Sequence, residues 1–388
     1  SELNKMLTES EHTRINGIPH YEVTVKDDCL DDLSKQLLNQ IKNGWKIEGK
    51  LNYSEGTTND LYGFRIKKDQ QNEIVLFRIY GAKTELMIDR ELELVSFMLL
   101  SKNGLATNLY CTFENGFCYQ YQQGRTLTPI DLTEELFLKK TAELVARLHS
   151  LDYSNVSGKK LFESNRGDAF SDIDRYMNLL KINGNDDVNS VSTDNCFHLF
   201  PNSPSLTGIN LQAIEAEIKE LKEKVAAFEE QPERTYCHND INCPNLIYDG
   251  DKGTFHIIDY EYSGVNYAAY DIANFFDEFP GNTNIDFSLF PSEETQRKWI
   301  KYYWMERLKI NGKEWMEDDC ASKTMNDLFL HVQIFTLVSH ILWGVWALVQ
   351  ARHLSNPTEM NGYAEIRLVE YFKQKTTVMD GIREKTIE

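Results

Sequence analysis

Apolar residues at Leu30, Leu33, Leu37 and Ile41 recur at three- and four-residue spacing, so the stretch to about Asn43 reads as helix. From Trp45 the period drops to two. Ile47, Gly49 and Leu51 alternate with Lys46, Glu48 and Lys50, and Tyr62, Phe64 and Ile66 repeat the pattern. Ile74 to Tyr80 is apolar except for Arg78 and a predicted central strand. A helix is predicted around Asp89 to Leu100. Two short strands follow at Asn108 to Phe113 and Phe117 to Tyr121, joined by the turn residues Glu114, Asn115 and Gly116.

After Gly124 the pattern becomes helical. Thr133 is placed to cap a helix with Phe137, Leu144, Val145 and Leu148 on one side and Glu134 and Glu135 in its first turn. Residues 182–208, rich in Asn, Asp and Ser, read as a long loop. Ile214, Ile218, Leu221, Val225 and Phe228 mark one face of an amphipathic helix. Leu328 to Val349 is apolar enough to pass for a membrane span. His331, Gln333, Ser339 and His340 inside it are costly in a bilayer, so it reads as a buried helix with no integral membrane segment. The pattern predicts an α+β chain: a sheet-based N-terminal lobe over residues 1–123 with a leading helix, then a larger, mainly helical lobe over 124–388.

Composition narrows the partners. A net charge of -19 disfavours nucleic acid and anionic membranes, which need a positive surface. Seven cysteines without a CxxC pair read as free thiols of a reducing, cytoplasmic setting. No leader is read at Ser1 to Lys5.

The chemistry concentrates between Tyr236 and Glu278. Phosphoryl transfer needs a carboxylate near the attacking hydroxyl, metal ligands and positive charge on the phosphates. His238-x-Asp240 followed by Asn245 supplies a carboxylate and an amide oxygen. Leu246 to Tyr248 and Phe255 to Ile258 read as two strands around the turn Asp249-Gly250-Asp251-Lys252-Gly253. Such a hairpin brings Asn245 beside Asp259, a pair of oxygen donors suited to Mg2+. An ordinary hairpin with solvated carboxylates is the bland alternative.

These residues carry a resemblance. His238-Asn239-Asp240, Asn245, Ile258 to Ser263, Asn266-Tyr267, Asp271 to Asn274 and Glu278 resemble the choline/ethanolamine kinase family, a branch of the protein-kinase-like superfamily. The similarity runs from about Ser54 to Lys373. It implies a two-lobed protein-kinase-like fold and ATP as co-substrate. Asp240 would be the catalytic base, with Asn245 and Asp259 holding Mg2+. An alcohol is too weak an acid to be ionised beforehand, so Asp240 would orient the hydroxyl and accept its proton late in a loose transition state.

The resemblance extends to the nucleotide. Arg78 would meet ATP phosphates with help from Glu93, with Glu91 as the alternative glutamate; a structural Arg–Glu pair without nucleotide is the other reading. Gly56, Thr57, Thr58 and Asn59 would form the phosphate loop. Gln120, Tyr121 and Gln122 would offer backbone to the adenine.

On the acceptor side, Asp271, Asn274 and Glu278 are spaced for one helix face. Asp271 reads as support for the catalytic loop and Glu278 as partner of a substrate ammonium. The resemblance places Trp343, Trp346 and Tyr363 at the amino-alcohol site, although two tryptophans on an apolar helix are more often core. Tyr80 to Leu86, Ile88 to Arg90 and Tyr110 to Gly116 resemble the ethanolamine branch. The implied activity is ATP-dependent phosphorylation of ethanolamine for phospholipid synthesis. Choline is the alternative acceptor, followed by an aminoglycoside-like kinase and a non-catalytic pseudokinase. Family members are often homodimers, but these residues mark no interface.

Overall fold

A computed structural model of the chain describes residues 13–15, 17–26, 30–53, 58–154, 159–163, 167–181, 199–281, 285–316, 319–354 and 356–385. Two compact units emerge, residues 1–90 with 94–124, and residues 91–93 with 125–388.

The first unit is built on a seven-stranded sheet. Its strands are β1 (Thr13–Ile15), β2 (Ile18–Tyr21), β3 (Lys46–Asn52), β4 (Asn59–Lys68), β5 (Gln71–Tyr80), β6 (Leu109–Phe113) and β7 (Gly116–Gln120), in the order β1-β2-β6-β7-β5-β4-β3. Helix α1 (Leu30–Ile41) lies between β2 and β3 in the chain and α2 (Arg90–Lys102) between β5 and β6. The early stretch is thus not all helix. The leucine period holds only from Leu30, and a short hairpin precedes it. Pairing is antiparallel except for β2 with β6, which is parallel at His20–Thr112 and Tyr21–Phe113. Apolar residues of β4 and β5, including Phe64, Ile66, Val75 and Phe77, form a core with Leu33, Leu37 and Leu38 of α1.

Interior strand β5 carries Arg78 between Leu61 of β4 and Phe117 of β7. The turn before β7 must pass close to that point. A Cβ on Gly116 would lie 2.0 Å from the Arg78 carbonyl oxygen, so only glycine fits there.

The second unit is mainly helical. It contains the strands β8 (Arg125–Thr126), β9 (Arg234–Cys237), β10 (Leu246–Asp249), β11 (Thr254–Ile257) and β12 (Gly264–Tyr267). Its helices are α3 (Glu135–His149), α4 (Lys159–Glu163), α5 (Ala169–Lys181), α6 (Leu211–Ala226), α7 (Ala268–Asp277), α8 (Glu293–Ile310), α9 (Asp319–His353) and α10 (Pro357–Lys385). The Thr133 hydroxyl does not cap α3. It donates to the Ile130 carbonyl at 2.7 Å inside a 3-10 turn, because that turn leaves the carbonyl in reach before the helix begins. Helix α6 buries Ile214, Ile218, Leu221 and Val225 as its period requires, with Asn210 accepting from the Ala213 N–H as its cap. Most of the Asn-rich stretch, residues 182–198, lies outside the described residues.

Helix α9 is the one described helix long and apolar enough to cross a membrane, yet 94% of its apolar window is buried inside the protein. Two of its polar side chains are paired inside the protein: the Gln333 side chain donates to Gln296 at 2.7 Å and the Ser339 hydroxyl to Asn274 at 3.0 Å. Cys111, Cys118, Cys237, Cys243 and Cys320 are all unbridged.

Candidate active site

The segment that follows β9 is held by its own side chains. Asp271 of α7 accepts the backbone N–H of His238 at 2.8 Å on one carboxylate oxygen and that of Asn239 at 2.8 Å on the other. Asn239 takes a left-handed backbone, φ 70°, which costs a non-glycine residue of order 1–3 kcal/mol. Its side chain offsets this by donating to the carbonyls of Gly167 and Tyr262 and accepting from Asn266. His238 donates from Nε2 to the Ile258 carbonyl at 2.9 Å, and its Nδ1 accepts from the Asp240 N–H at 3.3 Å. The imidazole thereby ties the loop to the strand end that leads into Asp259. Burial pushes the imidazole pKa down, which suits this neutral, one-donor arrangement.

Asp240 emerges from that frame half-buried. The Asn242 amide donates to its Oδ1 at 3.0 Å and the Asn245 amide to its Oδ2 at 3.2 Å. The hairpin forms in the expected register, Leu246 opposite Ile257 and Asp249 opposite Thr254. One more bond, from Ile258 N–H to the Asn245 carbonyl at 2.9 Å, extends the ladder to the residue before Asp259. Asp259, like Asn239, is left-handed, φ 67°.

Burial pushes the Asp240 carboxyl well up, and the negative charges of Glu278, Asp259 and Glu261 push it further. The donor chemistry fits Mg2+: the Asn245 amide nitrogen is committed to Asp240, leaving its oxygen as the donor, and Asp259 adds a carboxylate.

Helix α7 spreads its polar residues over three tasks. Asp271 serves the loop. Asn274 accepts from the Trp343 indole N–H at 2.7 Å and from the Ser339 hydroxyl. Glu278, just past the helix end, takes the Arg367 guanidinium at 2.8 Å, with both side chains buried. Arg367 also donates to Ser339 at 3.0 Å. Glu278 is thus a shared carboxylate and not a lone one, a partnership its sequence neighbourhood did not reveal.

Trp343 and Trp346 pack edge to face, ring centroids 5.4 Å apart, and Tyr262 packs edge to face on Trp343 at 5.4 Å. The Trp346 indole N–H donates to the Tyr262 hydroxyl at 3.0 Å. Tyr363 lies under the Arg367 guanidinium, 6.0 Å from ring centroid to the central carbon.

In the first unit, Gly56 and Thr57 lie outside the described residues. The end of that loop is anchored: the Thr58 carbonyl accepts from Gly81 N–H at 3.0 Å and from Arg90 at 3.3 Å, and the Asn59 amide donates to the Thr58 hydroxyl at 2.9 Å. Arg78 and Glu93 are both buried. The N–H groups of Gln120 and Tyr121 are committed to the carbonyls of Asn108 and Ile74. Of the three residues expected to offer backbone to adenine, Gln122 is the one whose amide the sheet leaves open.

Residues 52–372 match the family described as choline/ethanolamine kinase. The chain belongs to that family. As a member of a kinase family it is a phosphotransferase. The mouse (Mus musculus) protein named ethanolamine kinase 2 is 34% identical over 93% of this chain and 86% of its own length. Among solved structures, a Plasmodium vivax ethanolamine kinase superposes with a TM-score of 0.71 at 25% identity, covering 95% of this chain and 93% of its own. A Cryptosporidium parvum choline kinase shares the fold, with a TM-score of 0.69 at 22% identity over 91% of this chain and 97% of its own.

The second unit therefore brings Asp240, Asn245 and Asp259 together and sets Glu278 close enough for its charge to act on Asp240. Sequence reading passed over Asn242 and Arg367, and quoted Asn266 and Tyr262 in the motif without giving either a role. Asn242 alone had a local signal, two residues after Asp240 and two before Pro244, at the cap of the 3-10 turn Cys243–Asn245.

Proposed function

We propose that the protein transfers the γ-phosphoryl group of ATP to the hydroxyl of ethanolamine. The observation that carries this reading is Asp240, held by Asn242 and Asn245 at the mouth of the hairpin that leads to Asp259, in a chain 34% identical to a named ethanolamine kinase. Asn245 and Asp259 would hold Mg2+, which when bound neutralises phosphate charge. Asp240 orients the acceptor hydroxyl and takes its proton as the bond to phosphorus forms. Thr58, Asn59 and Arg78 would meet the phosphates and Gln122 the adenine. The burial of α9 supports an enzyme without an integral membrane segment, and the free cysteines among the described residues fit a cytoplasmic setting.

Glu278 supports ethanolamine as acceptor. Arg367 occupies Oε1, and Oε2 remains to accept an N–H from a primary ammonium. The aromatic trio Tyr262, Trp343 and Trp346 favours a second reading, choline, since a quaternary ammonium is recognised by ring faces alone.

ADP release with Mg-ATP, comparing ethanolamine and choline, separates the two. Ethanolamine is expected to have the higher kcat/KM. Glu278→Gln is expected to raise KM for ethanolamine by about 10-fold or more, the worth of a charge-assisted hydrogen bond, and to change KM for choline less. Equal effects on both would remove Glu278 from ammonium recognition, and a preference for choline would pass the site to the aromatic trio.

A further inference from the structure

A hydrogen-bonded chain runs from the protein surface to the back of the catalytic loop. Glu233, half-exposed, accepts from Arg307 Nη2 at 2.8 Å, and Arg307 Nη1 donates to the Tyr303 hydroxyl at 2.8 Å. Tyr303 meets His149 Nδ1 at 2.9 Å, and His149 Nε2 meets Asp271 Oδ2 at 2.9 Å. Tyr303, His149 and Asp271 are buried, and Asp271 holds the N–H groups of His238 and Asn239, the two residues before Asp240.

For an ionised Asp271 and a neutral His149 ring, the hydrogen bonds of this chain admit one arrangement of protons. An ionised carboxylate only accepts, so His149 Nε2 carries the hydrogen facing Asp271. In the neutral ring Nδ1 then accepts, and Tyr303 must donate to it. Its oxygen is thereby free to accept from Arg307, which only donates. Arg307 sets the direction of every bond up to Asp271. Tyr303 is held for this by its ring stacked on Trp299, centroids 5.7 Å apart and planes within 11°, and Trp299 donates to Thr141 of α3 at 3.1 Å.

We propose that His149, Tyr303 and Arg307 are positioning residues that orient Asp271, and through it the backbone of His238 and Asn239, so that Asp240 is aimed at the acceptor hydroxyl. The proposal rests on the kinase reading for its kinetic consequence but not for its proton arrangement. Asn239 is left-handed, and a strained backbone keeps its shape only while its partners hold it. Misaiming a reacting group by about 1 Å costs on the order of 10²-fold in rate. The binding of either substrate uses other groups, so the loss falls on kcat.

Two measurements test this. In the unliganded protein, nitrogen NMR of 15N-labelled histidine is expected to show His149 as the Nε2–H tautomer. Tyr303→Phe is expected to mix the tautomers and shift the amide signals of His238 and Asn239. In steady state, His149→Leu is expected to lower kcat by roughly 10- to 100-fold, with both KM values within about 3-fold of the parent. His149→Gln, whose amide can still donate to Asp271, is expected to recover most of that loss. Tyr303→Phe keeps the stacked ring and is expected to lower kcat by a smaller factor; it carries the kinetic test should His149→Leu fail to fold. A wild-type protein without turnover would count against the kinase reading, while the NMR result would still decide the proton arrangement. An Nδ1–H tautomer, equal kcat for the Leu and Gln variants, or unchanged kcat in Tyr303→Phe would overturn the proposal.

Discussion

Asp240→Ala is expected to lower kcat by roughly 10²- to 10⁴-fold, the usual worth of a positioned general base. Nucleotide affinity should stay within a small factor. The reason lies in how narrowly the carboxylate is held. Asn242 and Asn245 each donate to one of its oxygens, and the backbone before it is clamped by Asp271 on one side and by the His238 bond to Ile258 on the other. Alanine removes the proton acceptor and also leaves the Asn242 and Asn245 amides without it. Asp240→Asn keeps the shape and loses the charge, so it separates the two effects: a loss as deep as that of alanine assigns the effect to proton acceptance. Steady-state ADP release with calorimetric titration of Mg-ATP measures both quantities. An alanine variant that keeps most of the parent kcat would remove Asp240 as base and turn attention to a binding protein.

Removing Arg367 should have the largest effect on stability. Arg367→Leu leaves the buried Glu278 carboxylate without its counter-charge and takes a donor from Ser339, at an expected cost of about 3–5 kcal/mol in denaturant unfolding. Burial already pushes the Glu278 carboxyl up and the guanidinium pulls it back. Without Arg367 the upward push stands alone, so the folded state of the variant binds a proton that the unfolded chain releases. Stability of the variant therefore falls as pH rises through the range above the ordinary glutamate value, and its deficit against the parent is smaller in mild acid than at neutral pH. The double variant Arg367→Leu with Glu278→Leu should regain much of the stability, because replacing a whole buried pair by apolar groups is often close to neutral. It should not regain activity toward ethanolamine. A single-variant loss below about 1 kcal/mol would mean that the Glu278 carboxylate is accommodated by other means.

The parts of the site legible in the sequence are those whose geometry is local. The alternation around Asp249 to Gly253 predicts a hairpin, and a hairpin must bring Asn245 beside Asp259 whatever surrounds it. The two-residue spacing of His238 and Asp240 likewise lets the imidazole accept the Asp240 N–H without help from elsewhere. The apolar run around Arg78 marks an interior strand for the same reason, since period and burial are written in neighbouring residues. The alternatives were also local: nothing in a single stretch could separate a hydroxyl cap at Thr133 from a bond back to Ile130, or show that the leucine period near Leu30 is preceded by a hairpin.

What the sequence by itself determined, then, is the family, the α+β class and the ordered set His238, Asp240, Asn245 and Asp259. Tertiary structure alone decided which buried polar groups become partners. Glu278 meets Arg367 across 89 residues, Asn274 meets Trp343 across 69, and His149 meets Tyr303 across 154. Leaving a buried carboxylate, amide or imidazole unpaired is costly, so each such residue announces a need for a partner. Several arginines, tyrosines and tryptophans could answer it, and only helix packing selects the one that arrives within hydrogen-bond reach.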